Sequence, residues 1–399
     1  MSRLTVNVLV VLVAGLVYAS LGFLSSRTSV NGGLGWDGPV YAAMVTDHDT
    51  QRGSAINKLV PAFPLAAAIP YAVTGNILAS FTVVNIVAFV LLVLAAFVIL
   101  DAQSAPLVVK LCAALTLAVL GLPTITAAFN PGQPDLLGVA LVALAVASCE
   151  TTGGLLVGAT QVAATLASPV GIIAPLYGIW RSWRLRQRTP HALVVFLPAL
   201  LAWVLVQVWA RGGPRGLLDL IRPSRVSADT ALWDEFAFIL FGVYFLITSL
   251  GGLTILLWSC PKWIVDAVRE KPELLALVVP VLLFIATAGL DVPRMIPFLL
   301  PFWLVVIGAW GRGQTAPLLV PVGLATVLTL LTQHPWVRMN ELNYFVDWFP
   351  YSVHAARVSG VTMSDADLVG IWRWRVLIAA GGLAAFATWR HRSTLWVNP

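Results

Sequence analysis

Long, uninterrupted apolar runs constrain the fold of this chain more than any other feature of its sequence. Every residue from Ile86 to Leu100 is apolar, without the alternation of period two that membrane strands need, so this run predicts a helix. The 399-residue chain is 59% hydrophobic and 11% charged, with a mean hydropathy of +0.88. This composition excludes an ordinary soluble domain and predicts an all-α, polytopic transmembrane helical bundle of roughly 10–12 spans.

Arginine residues set the predicted orientation of the bundle. Four of them occur between Arg181 and Arg188, with no acid among them, which marks this loop as cytoplasmic by the positive-inside rule. The first helix is predicted at Val6 to Leu24, without the small-residue cleavage pattern of a removable signal peptide. The other basic residues that agree with this orientation are Lys262, Arg269, Lys271, Arg312, Arg390 and Arg392.

Prolines make the first outer segment irregular. Pro61, Pro64 and Pro70 interrupt the apolar run 59–74, and each proline removes a helical hydrogen-bond donor. Residues 25–75 are therefore expected to form one outer loop with interfacial helices.

The order of the following spans fixes which polar loops share a face. Residues 154–180 are expected to form a hairpin of two apolar pieces that is broken at Ser168-Pro169. This places residues 130–135 outside, on the face of Asp37. If 59–74 and 154–180 were each one full span, residues 130–135 would lie inside. The predicted spans are 77–100, 107–122, 134–149, 238–258, 274–290, 295–310, 316–333 and 374–389, with outer loops at 211–237, 291–294 and 334–372.

No internal repeat or flexible linker divides the sequence, so residues 1–399 are expected to form a single transmembrane domain. The five histidines and three cysteines show no metal-ligand spacing, and three scattered thiols give no disulfide pattern. The formal charge of +6 bears on orientation and does not indicate nucleic-acid binding.

Polar side chains that could carry out chemistry gather in the predicted outer loops. A carboxylate such as Asp37 can take a proton from a hydroxyl, and Lys58 and Arg294 can neutralise a phosphate. These polar residues also have simpler interpretations. Lys58 and Arg294 can reach lipid headgroups, Asp135 can serve as a charge at a helix N-terminus, and His334 can be an interfacial residue. Other candidates for substrate contact are His48, Arg52, Gln133, Asp135 and His334.

Aromatic residues accompany these polar groups. Trp36, Tyr41 and Tyr344 could each offer a ring face to a sugar. The alternative is a belt of aromatic side chains at the membrane interface, which is favoured for Trp336. Trp348 and Tyr351 extend the same aromatic loop.

Two stretches resemble the first outer loop of the GT-C membrane glycosyltransferases, namely Trp36-Asp37-Gly38 with Tyr41, and Asn57-Lys58-Leu59-Val60-Pro61. The resemblance implies a bundle of GT-C type and polyprenyl-phosphate sugars as donors. It implies that Asp37 is the catalytic base and that Lys58 meets the donor phosphate. Weaker similarities to later motifs of the class occur at Gly132-Gln133-Pro134-Asp135 and at Pro293-Arg294-Met295-Ile296-Pro297.

The expected function is therefore inverting transfer of a sugar to an extracytoplasmic glycan or lipid acceptor, at the outer face of a bacterial cytoplasmic membrane. Membrane lipid is an expected partner. Asp37 stands alone where many GT-C enzymes have an acidic pair, which leaves a requirement for Mg or Mn open. A lipid or solute transporter (a flippase) is the alternative, because such proteins often contain broken helices, and an inactive assembly subunit is a third possibility.

Overall fold

The computed structural model describes residues 3–24, 30–35, 37–48, 55–120, 131–151, 155–185, 189–213, 261–287, 295–311 and 381. Within these ranges all regular structure is helical, as the sequence predicts. The α-helices are α1 (Arg3–Leu24), α2 (Gly38–Thr46), α3 (Ala55–Lys58), α4 (Ala62–Thr74), α5 (Ile77–Ala102), α6 (Leu107–Val119), α7 (Asp135–Thr151), α8 (Leu155–Ala167), α9 (Ile173–Arg184), α10 (Thr189–Ala210), α11 (Pro261–Glu270), α12 (Leu275–Thr287) and α13 (Leu300–Gly311). Short 3-10 helices occupy Val30–Gly33, Pro169–Ile172, Pro272–Leu274 and Ile296–Leu299.

Helix α5 is the centre of the bundle and contains the apolar run that predicted it. It packs against α1, α4, α6, α7 and α13. Its first turn is capped by Asn76, whose side chain accepts a hydrogen bond of 3.1 Å from the backbone N–H of Ala79. On one face Phe89 stacks on Tyr18 of α1, with ring centroids 4.4 Å apart. These contacts explain why α5 forms where its hydropathy predicts it.

The break at Ser168-Pro169 is the turn of a helical hairpin. The Ser168 hydroxyl accepts a hydrogen bond of 3.2 Å from the N–H of Val170. Helices α8 and α9 on either side both reach the same point of α10, because Gly158 packs on the Val195 backbone and Gly178 on the Phe196 ring. The chain therefore reverses direction at Ser168-Pro169, as the sequence predicts.

Two long-range hydrogen bonds define the ends of the bundle. About two turns into α5, Asn85 Nδ2 donates to the Pro131 carbonyl at 2.8 Å. Just beyond its last residue, Gln103 Nε2 donates to a Glu150 carboxylate oxygen at 3.3 Å. We call the first end, with residues 34–38 and 131–135, the loop end. The second, with the charged residues near Glu150, is the ionic end.

Some elements differ from the sequence prediction. Residues 261–270, predicted as a loop, form helix α11, and α10 is a long helix that the sequence prediction did not single out. The segment 25–75 contains three helices, α2 to α4, in its described part. Helix α4 tolerates Pro64 because that residue lies in the first turn, where N–H groups have no helical partner, and it continues through Pro70.

Large apolar side chains cover much of the outer surface of the described helices. Val73 is 86% exposed, Ile69 74% and Leu16 67%. By length and composition, Ile77–Ala102 is the one described helix able to cross a membrane. The other apolar helices found in the described ranges are shorter, at Asn7–Ser20, Ala62–Thr74, Leu107–Ala118, Leu156–Ala167, Val194–Ala210, Pro272–Phe284 and Ile296–Ala309. The predicted number of spans therefore stays a prediction.

Several predicted elements lie outside the described residues. They are the spans 238–258, 316–333 and 374–389 (apart from Gly381), and the outer loops 291–294, 334–372 and nearly all of 211–237.

Candidate functional site

Asp37 lies at the N-terminus of α2, shortly after a tight turn of the chain. Asn31 and Gly32 both adopt left-handed backbone angles, and Asn31 Nδ2 donates to the Gly35 carbonyl at 2.8 Å. The Asp37 carbonyl accepts a hydrogen bond of 3.1 Å from Val40 N–H, but its side chain makes no capping hydrogen bond to the helix. The turn therefore holds a half-buried carboxylate at the loop end that is not used to cap α2.

The turn before α7 brings a second polar pair to the same place. Gln133 Nε2 donates to Asp135 Oδ2 at 2.8 Å, and Asp135 is the first residue of α7. Gly132 lies directly against the backbone of Leu34 and Gly38. The structure thus brings the segment of Asp37 together with that of Gln133 and Asp135, although they are about a hundred residues apart in sequence.

A cavity of about 480 Å³ opens on the side of the bundle between α2, α4 and α10. Its volume falls within the range of about 300–1,000 Å³ that is usual for small-molecule sites. Lys58 and His48 are the ionisable side chains on its wall. The other lining residues are mostly apolar: Met44, Val45, Asn57, Pro61, Pro64, Leu65, Ala68, Leu205, Val206 and Trp209. This wall suits an amphiphile with an apolar chain and an anionic head group.

Helix α2 links the cavity to Asp37. Asp37 precedes its first residue, whereas Met44, Val45 and His48 near its other end line the cavity. Nine residues at a rise of about 1.5 Å each make α2 about 14 Å long. A ligand that uses both the cavity and the carboxylate must therefore lie along α2.

Two of the predicted substrate contacts are buried in the structure. Tyr41 is 1% exposed, and its ring packs edge-on against Phe63 with centroids 5.6 Å apart. This revises the sequence interpretation, because α2 turns Tyr41 into the core and gives it a packing role. Gln133 is 5% exposed, and its Oε1 has no hydrogen-bond partner among the described residues. His48 is exposed on the cavity wall, as a contact residue requires.

The remaining predicted site residues are not among the described residues: Trp36, Arg52, Arg294, His334 and Tyr344. Their proposed roles stay predictions.

The described residues offer no ligand set for the divalent cation whose requirement the sequence left open. In that part of the chain, no three His, Cys, Asp or Glu side chains come close enough together to hold a metal ion. Asp37 and Asp135 are the acids among the described residues of the loop end, and no third His, Cys, Asp or Glu side chain from that part of the chain joins them. No step proposed below goes through a metal ion.

Sequence reasoning missed a buried ionic cluster at the other end of the bundle. Glu150 and Glu273, with side chains 2% and 0% exposed, lie among Arg181, Arg184 and Lys271. The arginines had been interpreted only as a marker of topology. Glu150, an acid in the otherwise apolar helix α7, was the available signal, since buried charges are nearly always paired.

The comparisons with known proteins give little guidance. No protein-family model matches the chain, and no curated protein does. Among solved structures it resembles the oligosaccharyltransferase of Archaeoglobus fulgidus in its apo form, with 13% identity and a TM-score of 0.48. It also resembles the oligosaccharyltransferase AglB of that organism in complex with an inhibitory peptide and a dolichol-phosphate, with 13% identity and a TM-score of 0.46. Each match covers 94% of this chain and 56% of the other, and likenesses this weak carry no argument about function.

Proposed function

We propose that this chain is a multi-pass membrane glycosyltransferase that moves a sugar from a polyprenyl-phosphate donor to a hydroxyl of a glycan or lipid acceptor. The observation that carries the proposal is what lies at the two ends of helix α2. A carboxylate that does not cap its helix, Asp37, is joined by α2 to a lateral apolar cavity with Lys58 and His48 on its wall.

The exposed apolar surface supports a place in the membrane. Aliphatic side chains are exposed along α1, α4 and α10, and large apolar surfaces of this kind mark contact with lipid or protein. The arginines of α9 lie at the ionic end, opposite Asp37. If they face the cytoplasm, the loop end faces outward, where the acceptor would be met.

The cavity supports a lipid-linked donor. The exposed side chains of Leu65 and Leu205 stand at its edge, so a lipid chain can enter from the side of the bundle. We place the donor phosphate near Lys58, whose ammonium can bind it as a point charge. The anomeric carbon is bonded to a phosphate oxygen, so it must lie between Lys58 and Asp37 for the carboxylate to reach the attacking hydroxyl, and Arg294 is proposed as the second cation on the phosphate.

Transfer then needs only proton removal and stabilisation of a leaving group. Asp37 takes the proton of the acceptor hydroxyl as general base. The hydroxyl oxygen forms a bond to the anomeric carbon on the face opposite the phosphate, while the bond from that carbon to the phosphate oxygen breaks. The configuration inverts, and the electron pair stays on the lipid phosphate. Lys58 and Arg294 stabilise the charge that develops there.

Replacing the base tests the proposal directly. Asp37→Asn keeps the shape of the side chain and removes its basicity, so turnover with a labelled polyprenyl-phosphate sugar should fall about 100- to 10,000-fold. Asp47→Asn, at the other end of the same helix and exposed, is the matched control and should stay within about twofold of the wild type. Near-normal turnover of Asp37→Asn would mean that this carboxylate is not the base.

A further inference from the structure

The two polar segments of the loop end are in backbone contact that only glycine permits. A Cβ atom added to Gly132 would lie 2.6 Å from the Leu34 carbonyl oxygen and 2.8 Å from Gly38 Cα. Real Cβ atoms essentially never come closer than 3.0 Å to another heavy atom. Gly132 has no left-handed φ angle, so the requirement is one of space. Residue 132 must therefore be a glycine for the two segments to stay this close, and it lies against the turn that carries Asp37.

Asn85 binds the residue before Gly132 from the side of the core. Its side chain is fully buried in α5, and Nδ2 donates a hydrogen bond of 2.8 Å to the carbonyl of Pro131. A buried amide in an apolar helix is costly unless its hydrogen bonds are made. The bond therefore fixes Pro131 against the central helix, and Gly132 is the next residue.

We propose that Asn85 and Gly132 are positioning residues for Asp37. The path runs from the Asn85 amide to the Pro131 carbonyl, through Gly132 to the backbone of Gly38, which directly follows Asp37. This inference rests on the proposed function, in which Asp37 is the base. An alanine at 132 must move the Leu34 carbonyl by about 0.8 Å to restore ordinary contact at 3.4 Å. A misplacement of about 1 Å can cost about 100-fold in rate.

The positioning residues lie apart from the cavity that is proposed to bind the donor. Lys58 belongs to α3 and faces a wall made by α4, α10 and the far end of α2. A shift of the 34–38 turn should therefore lower kcat and leave the KM for the donor unchanged. A merely structural defect would instead lower the amount of folded enzyme without changing either constant of the folded fraction.

The experiment compares Gly132→Ala and Asn85→Leu with Gly15→Ala, where the added Cβ meets Val90 at an ordinary 3.6 Å. We expect kcat to fall about 10- to 100-fold in the first two variants, with donor KM within twofold of the wild type, and no change for Gly15→Ala. The inference is overturned if both variants keep kcat within twofold. It is equally overturned if only the folded fraction changes.

A second measurement does not depend on turnover. It can therefore be made on variants that fold poorly, and also if the enzyme has another activity. In an Asp37→Cys background, the rate of thiol modification should change severalfold when Asn85→Leu is added, and not when Gly15→Ala is added. Equal rates in all three would overturn the positioning role. If Asp37→Asn itself keeps normal turnover, the proposed function fails. If Asp37→Asn is inactive but both Gly132→Ala and Asn85→Leu keep full activity, the positioning role alone is wrong.

Discussion

Replacing Glu150 by Gln should destabilise the bundle strongly. One carboxylate oxygen of Glu150 lies 3.2 Å from Arg181 Nη1, and the other lies 3.1 Å from Lys271 Nζ. The Tyr177 hydroxyl and Gln103 Nε2 also donate to this carboxylate. The substitution keeps the shape and one acceptor oxygen, but it removes the charge and puts an NH2 donor where the other oxygen accepts hydrogen bonds.

The size of the effect follows from the charges of the cluster. Three cations face two buried acids, and the substitution leaves only Glu273, which lies 2.8 Å from Arg184 and 3.5 Å from Arg181. Lys271 then loses its acidic partner in the described part of the chain. Breaking a buried pair by removing one partner costs about 3–5 kcal/mol. Because the amide keeps one acceptor oxygen, we expect a loss at the lower end of this range, about 3 kcal/mol, or roughly 100-fold in the unfolding equilibrium.

Denaturant-induced unfolding in detergent, followed by tryptophan fluorescence, measures this loss. The control is Asp101→Asn, which breaks the pair between Asp101 and Lys110 at the same end of the bundle. The Asp101 side chain is 47% exposed, whereas that of Lys110 is 8% exposed, so the half-solvated pair should contribute about 1–2 kcal/mol, less than the Glu150 cluster. If the two substitutions lower the free energy of unfolding equally, the cluster does not anchor the ionic end and the reasoning is wrong.

Two further predictions concern the phosphate and the orientation. Lys58→Ala and Arg294→Ala should each raise the donor KM, and the double variant should be less than additive because both residues serve one phosphate; strictly additive, small effects would indicate contacts with lipid headgroups instead. A cysteine at position 135 should react with a membrane-impermeant reagent only from outside, and one at position 185 only from the cytoplasm. Labelling of position 135 solely from the cytoplasm would invert the proposed topology.

Local sequence patterns predicted the elements that depend on interactions between residues close in sequence. The apolar run 86–100 predicted α5, and the Ser168-Pro169 step predicted the hairpin turn because serine caps and proline cannot continue a helix interior. Asp135 begins α7, as a carboxylate at the head of an apolar run suggests. Each of these features is decided within a few residues.

Contacts between distant segments could not be predicted in the same way. Nothing near Gly132 indicates that the Leu34 carbonyl rests against it, and the burial of Tyr41 follows from the direction in which α4 approaches α2. The pairing of Glu150 with Lys271 joins residues 121 apart. The sequence contains a partial signal for such contacts, since Asn85 and Glu150 are polar residues in apolar helices and buried polar groups must find partners. It does not say which partners.

The distribution of charge within the bundle favours an enzyme over a transporter. Transporters keep ionisable groups near the middle of their spans and often bind substrate at broken helices. In the described parts of α5 to α9, the charged side chains lie within about one turn of a helix end. The one sequence feature typical of a transporter, the Ser168-Pro169 break, is the turn of a helical hairpin. The ion pairs fix the ionic end, and the glycine contacts fix the loop end. Both would keep a reaction centre rigid, whereas alternating access in a transporter requires that one end open.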